Sequence, residues 1–292
     1  MGNHFYGALS YADDLTLLAP SVTGLKKMLQ VCEKFGQDYG VAYNPVKSVC
    51  MLFSRKVMNT PDIKLADRPL KWVTSTKHLG NYIDCNLSET TEIKHKKGDL
   101  VQRVNKMLSA LGKSPDRVIS EAFKAICAHF YGSQAWNLND KAVSEFTTMW
   151  NRCVRRILHL PYQTHTRYLP DLIESKNAFD QISQRFIKFI QCMEKSDNAR
   201  VKYLAMASLR NANSVIGGNM TKIGQRLKLN PAMVLREGIT MLKSNSLYIY
   251  NDQDLINLSL IKELREHLNG RSYIDHFAKE ETLALLEFVC TA

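Results

Sequence analysis

HFYGALSYADDLTLLAP, residues 4–20, places two adjacent carboxylates between two short apolar runs. The runs, His4–Ser10 and Leu15–Leu18, flank an acidic turn, and this pattern predicts a β-hairpin. Adjacent side chains on a regular strand point to opposite faces, so Asp13 and Asp14 address a single site only where a tight turn intervenes. The tip of a hairpin provides such a turn, and the sequence therefore predicts both carboxylates there.

Paired carboxylates at a hairpin tip suit Mg²⁺, which takes hard oxygen ligands and keeps some of its waters for substrate phosphates. In two-metal nucleotidyl transfer, one ion activates the attacking hydroxyl and the other stabilises the leaving group. Aspartate is also common in surface turns, so the alternative interpretation of Asp13 and Asp14 is a turn that binds nothing.

Residues 1–92 have the pattern of short strands around one helix. Apolar residues recur at helical spacing between Thr23 and Tyr39, and Gly40 ends this pattern. Strand-like runs follow at Val49–Phe53, Ile63–Leu65, Leu70–Val73 and His78–Ile83. The sequence therefore predicts an antiparallel sheet with one helix in this region.

Residues 93–160 and 161–292 have helical periodicity. The helices predicted in the first of these regions are one with the apolar stripe Leu100–Leu111, one from Ser114 to Gly132 and one from Asp140 to His159. Four to six more are predicted after residue 160, among them Ala178–Met193, Pro231–Lys243 and Asp254–Asn269. The fold class predicted for the whole chain is α+β, with a sheet region followed by two all-α regions.

The formal net charge of +11 is concentrated in one part of the chain. Residues 94–160 carry twelve Lys and Arg against five Asp and Glu, whereas residues 1–93 carry ten against nine. A concentrated basic segment favours binding to a phosphate backbone. The alternative interpretation is a solvated basic surface without a partner.

The seven cysteines are scattered and have no metal-ligand spacing, which excludes a zinc knuckle and predicts reduced thiols in an intracellular protein. No apolar run is long enough to span a membrane, and residues 1–4 lack the features of a signal peptide. We therefore expect neither membrane insertion nor secretion, and the sequence does not distinguish nucleus from cytoplasm. Nothing in the sequence indicates an oligomeric state.

The ordered set of motifs resembles a reverse transcriptase of the non-LTR (LINE-type) retrotransposons. Residues 4–20 resemble the motif C hairpin, and the helix at 24–39 followed by GVAYNPVKS (40–48) is similar to motif D. KHLGNYI (77–83) is similar to motif E, the primer grip. RRILHLP (155–161), with THTR at 164–167, resembles the region after the thumb in LINE-type proteins.

The resemblance implies a role for each residue of these motifs. Asp13 is the principal metal ligand and catalytic residue, and Asp14 is the auxiliary one. Tyr11 packs beneath the turn or lies near the primer end, and Lys47 lies near the departing pyrophosphate, where its charge or a proton stabilises the leaving group. The turn at Leu79-Gly80 lets the backbone approach the primer closely. The alternative interpretations are a buried strand tyrosine at Tyr11, an exposed strand-edge lysine at Lys47 and an ordinary turn glycine at Gly80.

The resemblance also assigns the three regions. Residues 1–92 are a partial palm, residues 93–160 are a basic helical thumb, and residues 161–292 are a helical C-terminal region of unknown role. Cations of the thumb then contact the backbone of a bound duplex without reading its sequence. These cations are Lys94, Lys96, Lys97, Arg103 and Lys106.

The implied function is that of a fragment of an RNA-directed DNA polymerase that uses Mg²⁺, an RNA template, an RNA–DNA or DNA duplex, and deoxynucleoside triphosphates. The family places another metal-binding aspartate and the fingers well upstream of motif C, and the ten residues before Tyr11 do not hold them. We therefore expect residues 1–292 alone to be inactive. The alternatives are a non-catalytic, basic helical nucleic-acid-binding protein and a decayed or domesticated remnant of a retrotransposon.

Overall fold

A computed structural model of the protein describes residues 7–53, 60–243 and 251–268. The chain divides into two compact units, Met1–Ser88, called here the N-terminal unit, and Glu89–Ala292, called here the helical unit. The α+β class predicted from the sequence is confirmed, because strands occur in the first unit and helices dominate the second.

The N-terminal unit contains eight strands and one helix within its described residues. They are β1 (Ala8–Tyr11), β2 (Asp14–Leu17), α1 (Val22–Tyr39), β3 (Val49–Cys50), β4 (Lys64–Leu65), β5 (Arg68–Pro69), β6 (Lys71–Trp72), β7 (Ser75–His78) and β8 (Asn81–Asp84). β1–β2, β4–β5 and β7–β8 are antiparallel pairs, and β3–β6 is a parallel pair.

The prediction of one antiparallel sheet is therefore wrong for the described residues, since they form four separate two-stranded pairings. β3 and β6 are only two residues long, and Ala66 and Asp67 reverse the chain between β4 and β5 with φ of 48° and 58°. Turns this close together leave strands too short to extend one sheet.

Helix α1 confirms the predicted helix to within one residue at its start. The side chain of Ser21 caps it by accepting a hydrogen bond from the Gly24 backbone N–H at 3.1 Å, and Gly40 ends it with φ of 68°. Its inner face packs on the small core of the unit, which consists of Leu29, Cys50, Ile63, Leu65 and Leu70.

The helical unit consists of nine α-helices and one 3₁₀ turn within its described residues. They are α2 (Thr90–Leu111), α3 (Asp116–Ile126), the 3₁₀ turn Ser133–Ala135, α4 (Lys141–Ile157), α5 (Leu169–Leu172), α6 (Ala178–Glu194), α7 (Ala199–Arg210), α8 (Val215–Leu227), α9 (Pro231–Lys243) and α10 (Asp252–Leu268). The helices predicted at Asp140–His159, Ala178–Met193 and Pro231–Lys243 are confirmed to within about two residues at each end, the usual uncertainty of helix ends.

Helix α3 is shorter than predicted. It ends at Ile126 rather than at Gly132, and the chain then turns so that Phe130 enters the core. The ring of Phe130 lies 5.9 Å from that of Phe146 and 5.1 Å from that of Trp150, measured between ring centroids. Burial of this aromatic ring outweighs continuation of the helical pattern, because a buried aromatic side chain contributes more than one helical turn.

The core of the helical unit is continuous from α2 to α10. Trp150 is 2% exposed and its ring lies 4.7 Å from that of Phe123. Trp136 is equally buried and packs edge-on against Phe146 at 5.3 Å. Trp136 and Trp150 therefore serve the core rather than a binding surface.

Six cysteines are free thiols in the described part of the chain, and Cys290 lies outside it. Burial raises the pKa of both Cys127 and Cys153 to about 11, so these thiols are protonated and unreactive at neutral pH. None of the helices described has the length and apolar character needed to cross a membrane.

The carboxyl group of Glu89, just before α2, makes the helical unit sensitive to pH. It accepts a hydrogen bond from the Asn137 backbone N–H at 3.2 Å. Burial, helped by the nearby charges of Asp140 and Glu92, raises its pKa to about 7 against the lowering effect of that bond. The folded protein therefore keeps a proton that the unfolded chain loses, and this contribution to stability disappears as pH rises from about 4.5 to about 7.

We expect Glu89→Gln to be more stable than the parent protein at about pH 8, by roughly 1–2 kcal/mol, because the amide needs no deprotonation. At about pH 4, where the carboxyl group is neutral in both states, the difference should vanish. Urea unfolding at both pH values measures the effect. An equal difference in the free energy of unfolding at both pH values would show that burial of charge at Glu89 is not its cause.

Candidate functional site

The carboxylates predicted at a hairpin tip are at that tip. Strands β1 and β2 pair antiparallel, with Tyr11 opposite Asp14, so Ala12 and Asp13 form a two-residue loop. The backbone N–H of Leu18 donates to the carbonyl of Gly7 at 2.7 Å and closes the open end of the hairpin. The hairpin predicted from residues 4–20 is thus confirmed from Gly7 onward, and residues 4–6 lie outside the described residues.

The loop has an uncommon backbone conformation. Ala12 has φ of 51°, in the left-handed region that favours glycine. Such a conformation costs an alanine about 1–2 kcal/mol, which the strand pairing on both sides offsets. Positive φ at a loop residue lets two strands join through two residues, and this places Asp13 in the turn itself while Asp14 begins a strand.

The tip is open to solvent. Asp13 and Asp14 are exposed, and neither takes part in an ion pair in the described residues. The ring of Tyr11 is 68% exposed, so it does not pack beneath the turn, which was one of its two predicted positions. Both carboxylates are therefore free to bind a cation or phosphate-bound metal from solution.

A second hairpin carries the predicted Leu-Gly turn. Strands β7 and β8 pair with His78 opposite Asn81, which leaves Leu79 and Gly80 as the loop. Their φ values are 47° and 82°, and positive values at both loop residues are the condition for a type I′ turn. The predicted turn is confirmed. The prediction that His78–Ile83 forms one strand is wrong, because this turn interrupts the run between β7 and β8.

A side-chain hydrogen bond joins the two hairpins. The hydroxyl Oγ1 of Thr16, on β2, lies 3.3 Å from Nε2 of His78, on β7, and the contact is partly buried. The sequence did not predict either residue as important, because they are 62 positions apart and neither belongs to a local motif. This contact holds the carboxylate hairpin beside the Leu-Gly hairpin.

Lys47 lies in the loop before β3, on an Asn-Pro turn. The side-chain Oδ1 of Asn44 accepts hydrogen bonds from the backbone N–H groups of Val46 at 3.0 Å and Lys47 at 3.2 Å. The Ser48 hydroxyl donates to the Asn44 carbonyl at 2.8 Å. The turn fixes the backbone of Lys47, whose side chain is exposed and forms no ion pair with Asp13 or Asp14 in the part of the chain described.

Three of the five predicted thumb cations have partners within the helical unit. Nζ of Lys96 lies 3.3 Å from Oε1 of Glu92, and Nζ of Lys97 donates to Oε2 of Glu145 at 3.0 Å. Arg103 donates from Nη1 to the Ile126 carbonyl at 3.1 Å. These contacts partly neutralise or occupy the basic groups that the sequence predicted as contacts for the phosphate backbone of a duplex.

The other two thumb cations, Lys94 and Lys106, are exposed on α2 and take part in none of the ion pairs within the described ranges. They are the residues of this set most available to a phosphate backbone. The basic surface of α2 is therefore smaller than the count of its lysines and arginines indicates.

The donor atoms at the hairpin tip fit part of a magnesium site. Asp13 and Asp14 supply hard carboxylate oxygens, and Mg²⁺ commonly binds through one or two carboxylates with the remaining positions held by water and substrate phosphate. Across the described ranges, no group of three or more His, Cys, Asp or Glu side chains is placed to hold a metal. Asp13 and Asp14 alone would supply only part of the ligands that such an ion takes.

His165 accepts hydrogen bonds from within its own turn. Its Nδ1 accepts hydrogen bonds from the backbone N–H and the Nε of Arg167, both at 3.2 Å. Burial, followed by the charge of Arg167, lowers the pKa of His165, which leaves the imidazole neutral at neutral pH. Arg167 itself donates to both carboxylate oxygens of Asp254 at 2.8 and 2.9 Å, a pairing that the sequence did not predict.

Comparison of the chain with protein-family models, with curated proteins and with solved structures finds no match. The functional interpretation rests on the residues of the two hairpins and on the distribution of basic groups in the helical unit.

Proposed function

We propose that this chain is part of an RNA-directed DNA polymerase of the non-LTR retrotransposon type, with Asp13 and Asp14 as ligands of catalytic Mg²⁺. One observation carries the proposal. The Tyr-x-Asp-Asp sequence forms the tip of a two-residue antiparallel hairpin, which Thr16 and His78 join to a second tight hairpin with a Leu-Gly turn. The first hairpin suits a metal site and the second suits close approach to a primer strand.

The residues of the two hairpins and Lys47 have separate roles in this proposal. Asp13 and Asp14 hold Mg²⁺, which when bound activates the attacking hydroxyl and stabilises the leaving phosphate. Lys47 places a positive charge near the departing pyrophosphate, where it lowers the energy of the negative charge that develops. The Leu79-Gly80 backbone contacts the primer, since glycine has no side chain that would keep the protein backbone away from the primer.

The basic helices complete the proposal by binding the template–primer duplex. Residues 94–160 carry an excess of seven Lys and Arg over Asp and Glu, twelve against five. Lys94 and Lys106 are exposed for contact with phosphate. Contacts of this kind position a duplex without reading its sequence, which a template-copying enzyme requires.

We expect binding of an RNA–DNA duplex to residues 1–292 to weaken steeply between about 50 and 200 mM salt, because each phosphate contact releases counterions. The double variant Lys94→Gln/Lys106→Gln should reduce the slope of log affinity against log salt by about two. Fluorescence anisotropy with a labelled duplex measures both. The exposed lysines Lys195 and Lys202 on the same unit provide a matched double glutamine control, which should leave the slope unchanged. Binding that is indifferent to salt would contradict a role in holding duplex.

A non-catalytic nucleic-acid-binding role, as in a domesticated or decayed remnant, is the second candidate. The charge excess of residues 94–160 favours it, because that feature does not involve the carboxylates. Asp13→Asn distinguishes the two candidates. It should leave duplex affinity unchanged under both, and under the first alone it should stop DNA synthesis by a longer polypeptide that supplies the upstream palm and fingers.

A further inference from the structure

The turn after α4 presents an exposed aromatic ring between arginines. The ring of Tyr162 is 68% exposed. The guanidinium carbon of Arg152 lies 5.9 Å from its centroid and that of Arg155 lies 5.8 Å from it. The ring of Tyr162 therefore lies outside the core and is presented to solvent beside two guanidinium groups.

The backbone of this turn is held in one conformation. Arg155 donates from Nε and Nη2 to the Thr164 carbonyl at 3.0 and 2.7 Å, and its own carbonyl accepts from the Leu160 N–H at 2.8 Å. His159 has φ of 50°, which ends the helix and turns the chain. Arg155 is thereby committed to the turn, and Tyr162 is presented from a fixed backbone.

The surroundings of Tyr162 carry only positive charge along the local sequence. Residues 146–170 contain four arginines and no aspartate or glutamate. Arg167 is paired with Asp254, whereas Arg152 and Arg156 are exposed. Arg156 donates from Nη1 to Oδ1 of Asn105 on α2 at 2.6 Å, a neutral partner that leaves its charge uncompensated.

We propose that Tyr162 is a stacking platform for an unpaired base of a single-stranded nucleic acid, with Arg152 and Arg156 contacting the adjacent phosphates. An exposed ring on a fixed turn offers a flat face to a base at little entropic cost, and flanking arginines supply the charge that the phosphates need. An acidic peptide would be attracted by the arginines but would not use the ring as a stacking surface. The inference rests on the proposed nucleic-acid-binding function and adds a site for single strands that uses residues other than Lys94 and Lys106.

The test is fluorescence anisotropy of residues 1–292 with labelled oligouridylate, oligothymidylate and an RNA–DNA duplex. Tyr162→Ala should weaken binding of the single strands about tenfold, within the range expected for loss of one stacked base, and should change duplex binding less than twofold. Tyr162→Phe, which keeps the ring, should bind as the parent protein does. Arg152→Gln should lower the salt slope for single strands by about one. Comparison of the two single strands shows whether the platform prefers RNA or DNA.

Tyr203→Ala is the matched control, because Tyr203 is a 59% exposed tyrosine near Arg200 and Lys202 on α7 and should not affect binding. If Tyr162→Ala binds single strands as the parent protein does while duplex binding persists, the platform is refuted and the proposed function survives. If neither single strands nor duplex bind the parent protein, both the stacking platform and the proposed function are refuted. If an acidic peptide competes as well as oligouridylate and loses affinity equally in Tyr162→Ala, the partner is a protein and the inference is overturned.

Discussion

Asp13→Asn is expected to lower primer extension by on the order of 1,000-fold, because the loss of a metal-binding carboxylate removes several kcal/mol of transition-state stabilisation. The assay uses a polypeptide that joins residues 1–292 to an upstream palm strand with its carboxylate and to a fingers region, so that the ligand set is complete. Asparagine has nearly the same shape as aspartate and keeps its preference for turns, so the hairpin should remain folded. Incorporation of labelled deoxynucleotide on an RNA template measures the effect.

Asp67→Asn provides the control, because Asp67 lies in the two-residue loop between β4 and β5 and is exposed in the same way. It should extend primers at the parent rate. Lys47→Ala should slow extension about tenfold or more without weakening duplex binding, as expected for loss of a group that stabilises the leaving phosphate. Full activity of Asp13→Asn would remove the hairpin from the mechanism.

Trp150→Ala is expected to destabilise the helical unit by about 3–5 kcal/mol, since removal of a buried tryptophan leaves a large cavity. Trp150 is 2% exposed and packs against Phe123 on α3 and Phe130 in the segment after α3. Packing around the vacated site can recover only part of this loss, because neighbouring side chains are held by other contacts.

Chemical unfolding followed by circular dichroism at the helical wavelength measures this change. Phe35→Ala is the comparison, because Phe35 on α1 is 47% exposed and should cost less than about 1 kcal/mol. A loss below about 1 kcal/mol in Trp150→Ala would mean that Trp150 does not anchor a shared core.

The helices could be predicted because their signals are local. Asp140 caps α4 by accepting from the Ala142 N–H at 2.8 Å, and Pro161 lies shortly beyond the end of this helix. Between them, apolar residues recur at the spacing that buries one face. The predicted α3 was too long because no local sequence signal indicates that Phe130 turns into the core.

Strand pairing could be predicted only where a tight turn dictated it. The β1–β2 hairpin was predicted from its acidic turn and the turn of β7–β8 only from the resemblance to motif E, whereas the parallel β3–β6 pair joins residues more than twenty positions apart in the chain. Pairings of two residues each depend on tertiary packing, which periodicity does not encode.

The same distinction applies to the candidate site. Asp13 and Asp14 were predictable because their chemistry is contiguous in sequence, and the Leu-Gly turn was predicted from the resemblance to motif E. The Thr16–His78 contact and the pairing of Lys97 with Glu145 were not, since they join residues 62 and 48 positions apart. Counting charges in residues 94–160 therefore overestimated how many cations remain available for phosphate.

Binding of a divalent cation at the hairpin tip is the central claim, and paramagnetic NMR tests it most directly. Mn²⁺, which substitutes for Mg²⁺ at oxygen sites, should broaden the backbone amide signals of Tyr11–Asp14 in residues 1–292, and excess Mg²⁺ should restore them. Asp13→Asn should remove this broadening, whereas Asp67→Asn should retain it. Absence of broadening at Tyr11–Asp14, or broadening that persists in Asp13→Asn, would contradict the claim that these carboxylates form a metal site.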